Sequence, residues 1–207
     1  MSVSFIILIF TCAVSLIAFN KADWMMRLRF NAYQIHQQKQ WYRFFSYGLV
    51  HADWIHLFVN MYVLFSFGRV VEFFFTQYFQ EKAVFYFIIL YVGALCTSVI
   101  PAFEKHKKDL YYNAVGASGA ISAIVFSSIM FDPLAPMGLL LLPFQFPAVV
   151  FGIAYLIYSY YMSKKGGSNI GHDAHFFGAL FGIMFTILLN KNIGINFIEQ
   201  ITNWFSR

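Results

Sequence analysis

Six apolar runs, separated by polar connections, organise the chain. Residues 2–20, SVSFIILIFTCAVSLIAFN, carry no charge. At about 1.5 Å per residue they just cross a bilayer core. A retained span is expected rather than a cleaved leader, because a basic start and a small-x-small exit are not evident. Residues 21–50 mix basic and aromatic positions over a stretch too long for a structureless loop. The pattern predicts short interfacial helices anchored by Trp24, Trp41, Tyr42 and the arginines. Further apolar runs predict spans at 54–75, 83–103 (stopping near Pro101), 116–131, 137–162 and 173–189. Pro143 and Pro147 should bend the fifth span or mark its start. The connections EKHKKDLYYN (104–113) and SKKGGSNIG (163–171) are polar, and the second is rich in turn formers. The tail, 190–207, holds FIEQITNWF, a candidate interfacial helix. With no internal repeat and no soluble segment, residues 1–207 read as one domain of an all-α membrane protein with six transmembrane helices.

Composition agrees. Of 207 residues, 60% are hydrophobic and 11% charged, where a soluble domain carries about 25% charged residues. The net charge of +5 sits in short connections between apolar runs. Anionic lipid headgroups of the bilayer are therefore the expected partner, and nucleic acid is not. Cys12 and Cys96 lie inside apolar runs and read as small buried hydrophobes, not as a disulfide or a metal pair.

The polar residues inside the spans raise the chemical question. HADWIHLFVN (51–60) places His51, His56 and Asn60 at the start of span two, and His56 and Asn60, four apart, share a helix face. Ser118 stands in GASGA at the start of span four, and His175 in DAHFFGALFG near the start of span six. If alternate spans run in opposite directions, these residues gather at one depth on three helices. Acyl transfer fits that set. Ser118 would be the nucleophile and His175 its base, then the acid for the leaving amine. His56, Asn60 and the backbone N–H groups around Ser118 would stabilise the oxyanion. Asp173, two residues before His175, lies on a different face, so a Ser–His dyad is expected rather than a triad. Gly119 with Ala123, and Gly178 with Gly182, give two small-residue faces that let spans four and six approach closely.

Two other readings stay open on these residues alone. Ser118 can be a helix cap, with the chain a non-catalytic bundle that binds membrane helices. Alternatively His51, His56, His172 and His175 can hold a metal or haem, which leaves Ser118 and Asn60 without a role.

The three motifs together resemble the rhomboid family of intramembrane serine proteases. That family has His-x4-His-x3-Asn on its second core helix, here His51, His56 and Asn60. It has G-x-S-G at the start of the fourth, here Gly116, Ala117, Ser118 and Gly119. On the sixth it has A-H-x-x-G-x-x-x-G, here Ala174, His175, Gly178 and Gly182. The likeness extends over 40–190 and includes Arg43 in the first loop and GRVVE (68–72), which ends in Glu72. It implies a six-helix rhomboid bundle, a half-submerged first loop and a short fourth helix starting in a hydrated cavity. It implies cleavage of single-span membrane proteins without cofactor or metal, with lateral access past span five. Phe144, Phe146, Phe151 and Tyr155 are candidates for that gate. One departure stands out: bacterial members often carry an aromatic residue one turn after the nucleophile, stacked on the catalytic histidine, where this chain has Ser122.

With the resemblance goes the expectation of a bacterial inner membrane with the active site outside, although the residues do not separate a bacterial from an organellar membrane. On orientation the charges argue the other way. Ten of the 14 Lys and Arg residues fall on the active-site face (Lys21, Arg27, Arg29, Lys39, Arg43, Lys105, Lys107, Lys108, Lys164 and Lys165), and basic loops favour the cytoplasm.

Overall fold

The computed structural model describes residues 2–138, 145–165 and 171–206. Helix α1 (Val3–Asn20) starts at Ser2, whose hydroxyl accepts from the Phe5 N–H at 3.3 Å. The expected interfacial segment folds as three short helices, α2 (Ala22–Leu28), α3 (Ala32–Gln38) and α4 (Arg43–Ser46), followed by a 3-10 turn over Tyr47–Leu49. Trp24, Trp41 and Tyr42 are exposed there, as anchors should be. Asp53 caps α5 (Trp54–Phe79) by accepting from the His56 N–H at 2.8 Å. The chain turns at Gln80 into α6 (Ala83–Ser98).

Helix α6 ends at Ser98, close to the stop expected near Pro101, but Pro101 itself does not close it. It stands in the first turn of a separate helix, α7 (Ile100–His106), where a missing N–H costs nothing. A shorter helix, α8 (Ser118–Phe131), follows. The fifth expected span, 137–162, departs most from the pattern. It opens as a hairpin of β1 (Pro136–Gly138) and β2 (Gln145–Pro147), and α9 runs over Ala148–Lys165. Pro136 and Pro147 hold Ala135 and Phe146 out of the helical region. The first N–H groups of α9 are used by the chain before the hairpin, Ala148 donating to the Ala135 carbonyl at 2.9 Å and Val149 to Pro133 at 2.8 Å. Pro147 therefore marks the start of the helix, while Pro143 and Phe144 lie outside the described residues. Helices α10 (His172–Leu189) and α11 (Lys191–Phe205) complete the chain.

Val3–Asn20, Trp54–His106 and His172–Leu189 are helical stretches long and apolar enough to cross a membrane. The second is the α5–α7 run. Helix α8 occupies the centre, with every residue from Gly119 to Phe131 buried. It carries no charge, and its hydroxyls at Ser122, Ser127 and Ser128 bond within the protein, so it has no polar face for solvent and belongs inside a bundle. It packs on α5, α6 and α10. The closest approach is to α10: a Cβ on Gly178 would lie 2.8 Å from the Gly119 carbonyl carbon, and one on Gly182 would lie 2.7 Å from the Ala123 Cα. No side chain larger than hydrogen fits at either point. At the opposite end of the bundle Glu72 of α5 accepts from the Ser4 N–H at 2.8 Å and the Ser4 hydroxyl at 3.0 Å. A carboxylate at a helix N-terminus satisfies orphan donors and opposes the helix dipole. Cys12 and Cys96 are free and half-buried rather than buried.

Candidate active site

The strand-like segment leading into α8 is held by the first loop. Phe30 and Ala114 exchange backbone hydrogen bonds of 2.9 and 3.1 Å. The Asn31 amide donates to the carbonyls of Leu110 and Tyr112 and to the Asn113 side chain. The Gly116 N–H donates to the Tyr47 carbonyl at 2.9 Å, and the Tyr47 hydroxyl reaches the Leu95 carbonyl on α6 at 2.9 Å. Gly116 has φ +108°, a left-handed conformation that costs other residues strain. A Cβ there would also lie 2.6 Å from Cε1 of His56. Two features thus demand glycine, and the second fixes where the His56 ring sits: against the backbone two residues before Ser118.

Ala117 occupies the cap position of α8 and makes no side-chain capping bond. Ser118 is the first helical residue, so its N–H has no intrahelical acceptor. It is not the helix cap, which removes the commonest structural role for a serine at such a place. On α10, the turn after Gly171 places His175, whose N–H donates to the Gly171 carbonyl at 3.1 Å. The helix approach described above brings the two sites together: a Cβ on Gly119 would lie 3.3 Å from the Ala174 carbonyl. The residue after Ser118 therefore faces the residue before His175. Both side chains are half-buried, and no hydrogen bond joins them among the described residues.

His56 and Asn60 share a face of α5, as their spacing predicts. The Asn60 amide donates one hydrogen to the His56 carbonyl at 2.9 Å and keeps a second. The Ala52 N–H donates to Nδ1 of His56 at 3.4 Å. Neutral His56 then carries its proton on Nε2, the atom nearest Gly116 besides Cε1. His51 is fully buried, edge-on to His56 with ring centres 5.0 Å apart. Its Nδ1 lies 3.0 Å from the Ser15 hydroxyl, which donates to the Leu49 carbonyl at 2.8 Å. Asp173 turns away from His175 and accepts from Ser163 on α9. His172, buried and edge-on to His175 at 6.0 Å, is the fourth histidine near the site.

The sequence does not reveal what holds the His175 ring. Tyr155 of α9 stacks on it, ring centres 6.1 Å apart and planes at 22°. The Tyr155 hydroxyl lies 2.8 Å from the Ser122 hydroxyl. The signal was split between an unexplained serine on one helix and a tyrosine on another, and no local spacing connects them.

The profile of the Rhomboid domain matches residues 38–192. The chain belongs to the rhomboid family. It is an integral membrane protein of mostly helical fold. It is also 30% identical to the rhomboid-like protein 11, chloroplastic, of Arabidopsis thaliana over 176 residues, which cover 77% of this chain and 56% of the plant protein. The chain thus spans little more than half of that relative's length. Two further positions of the rhomboid-like pattern are structural here. Glu72 clasps the start of α1, as described. Arg43 is buried in the first loop, where Nε donates to Gln40 at 2.6 Å and Nη1 to the carbonyls of Arg29 at 2.6 Å and Met26 at 3.0 Å. Burial pushes its pKa down from the ordinary value; Tyr42 opposes this and Arg29 adds to it.

Proposed function

We propose that this rhomboid-family chain is an intramembrane serine endopeptidase that cleaves single-span membrane proteins through Ser118 and His175. The observation that carries the reading is the α8–α10 contact, which sets Gly119 against Ala174 while the His56 ring abuts Gly116. In this reading the Ser118 Oγ attacks the scissile carbonyl as His175 takes its proton. The oxyanion receives hydrogen bonds from Nε2–H of His56, the free amide hydrogen of Asn60 and the Ser118 N–H. His175 then returns the proton to the leaving amine, and water releases the acyl group. The Ser–His hydrogen bond forms on this path as substrate docks, since catalytic hydrogen bonds are often long or misaligned in the free enzyme. His51 backs the His56 ring, and Gly116, Gly119, Gly178 and Gly182 set the spacing.

The helices α1, α5, α6, α8, α9 and α10 would be the six spans of this bundle, surrounded by bilayer lipid. The substrate backbone must unwind locally before attack, because a helical amide is hydrogen-bonded and shielded. The likeness to a chloroplast protein lends no support to a bacterial inner membrane.

A second reading, a non-catalytic binder of membrane helices, draws on the missing Ser118–His175 hydrogen bond. One experiment decides between them. Purified protein in detergent is treated with a fluorophosphonate, and cleavage of a single-span substrate is followed in parallel. Labelling and cleavage are expected in the wild type, and neither in Ser118→Ala or His175→Ala. Substrate capture with no labelling of Ser118 establishes the binder instead.

A further inference from the structure

The exposed helix α9 carries one residue that reaches the centre of the site. Its buried positions are Ala148, Gly152 and Ser159, and Tyr155 completes that stripe at helical spacing. Gly152 lets α9 approach α8: a Cβ there would sit 3.1 Å from Ile129 and 3.3 Å from Phe126. Tyr155 is flanked by Phe126 at 5.9 Å and Phe151 at 6.1 Å, lies over the His175 ring and pairs with Ser122, a buried hydroxyl one turn along α8 from Ser118.

We infer that Tyr155 is the positioning residue for His175, that Ser122 sets its orientation, and that the base is therefore held in place only while α9 lies against α8. The inference rests on the protease reading. It explains why position 122 is a serine. An aromatic side chain at 122 would compete with Tyr155 for the face of the imidazole, whereas a small hydroxyl leaves room for a ring from α9 and ties down its far end. A planar ring at this separation restricts imidazole tilt, and the hydroxyl pair fixes the tyrosine rotamer. Tyr155 is then no simple gate residue, since removing its bulk takes away the support of the base.

The test is the rate of fluorophosphonate labelling at Ser118, with kcat and KM for a single-span substrate, on full-length protein in detergent. Tyr155→Leu should label about 10-fold more slowly, through kcat, with KM within about 2-fold of wild type. Tyr155→Phe keeps the stack and loses the hydroxyl, and Ser122→Ala loses the other half of the pair. Each should cost about 3-fold, and the double variant no more than either alone. The double variant Ser122→Phe, Tyr155→Leu should recover part of the lost rate by supplying a ring from α8. Thermal melting of each variant identifies any that fails to fold, and the two conservative substitutions keep the test decisive if Tyr155→Leu does. Wild-type labelling rates in Tyr155→Leu, faster cleavage in it, or additive losses in the Ser122 and Tyr155→Phe pair overturn the inference and leave the protease reading intact. Absence of labelling in the wild type overturns that reading and this inference with it.

Discussion

Replacing Gly178 by alanine adds one methyl where α10 meets α8. That methyl would lie 2.8 Å from the carbonyl carbon and 3.0 Å from the Cα of Gly119, against an ordinary contact of at least 3.4 Å. The obstacle is backbone, so no side chain can swing aside. The helices must part by at least about 0.6 Å to clear the carbon, and by more to clear the carbonyl oxygen. Overpacking of this kind costs about 1–3 kcal/mol of stability. Its effect on rate should be larger, because Gly119 follows Ser118 and Gly178 lies one turn from His175. Misplacing reacting groups by about 1 Å costs on the order of 100-fold. Gly182→Ala is the control. Its methyl would meet the Ala123 Cα at 2.7 Å and carbonyl carbon at 2.8 Å, an equal clash set about 6 Å deeper along the helix. Both variants should melt at similarly lowered temperatures in detergent. Gly178→Ala should label with fluorophosphonate about 100-fold more slowly than wild type, and Gly182→Ala at least several-fold faster than Gly178→Ala. Labelling of Gly178→Ala within about 3-fold of wild type, with the expected drop in melting temperature, would show that the α8–α10 spacing does not set the geometry of the site.

Asn60→Ala should lower kcat roughly 100-fold while substrate binding stays near wild type; an equal loss in both would make Asn60 a structural residue. Glu72→Gln weakens two hydrogen bonds at the start of α1 and removes a favourable helix-end charge, so it should cost about 1–2 kcal/mol in reversible unfolding, and an unchanged melting temperature would refute that role. Arg43→Lys cannot reach Gln40, Met26 and Arg29 together from one ammonium. It should cost about 2–3 kcal/mol and raise hydrogen exchange across residues 22–50, whereas an unaltered exchange pattern would argue against a loop built around this guanidinium.

Most of the helices could be read in the chain because each apolar run answers to a local rule of length and hydropathy. The small-residue faces were also legible: Gly178 and Gly182 meet Gly119 and Ala123 across one helix contact. The hairpin before α9 was not, because its apolar residues look like helix until Pro136 and Pro147 are allowed to govern their neighbours. Nor was the break at Val99, where Pro101 begins a helix instead of closing one. The links that shape the candidate site were out of reach for a different reason. Ser15 with His51, Tyr47 with Gly116, and Tyr155 with Ser122 and His175 join residues far apart in the chain, and no local spacing connects the members of each set.

Helix α8 is walled in by protein, and that has a consequence for the lipid environment. Its 14 residues measure about 21 Å, against a hydrocarbon core of about 30 Å. Outer helices such as α5 and α9 carry exposed apolar side chains, and a span that faces lipid adjusts to a thicker or thinner bilayer by tilting. Helix α8 has no such freedom, because its vertical position is dictated by its protein neighbours. On the protease reading, changing acyl-chain length should therefore move the substrate relative to Ser118 rather than Ser118 relative to the bundle. In vesicles of graded thickness the preferred cleavage position along the substrate would shift, with the serine acting as a fixed ruler mark.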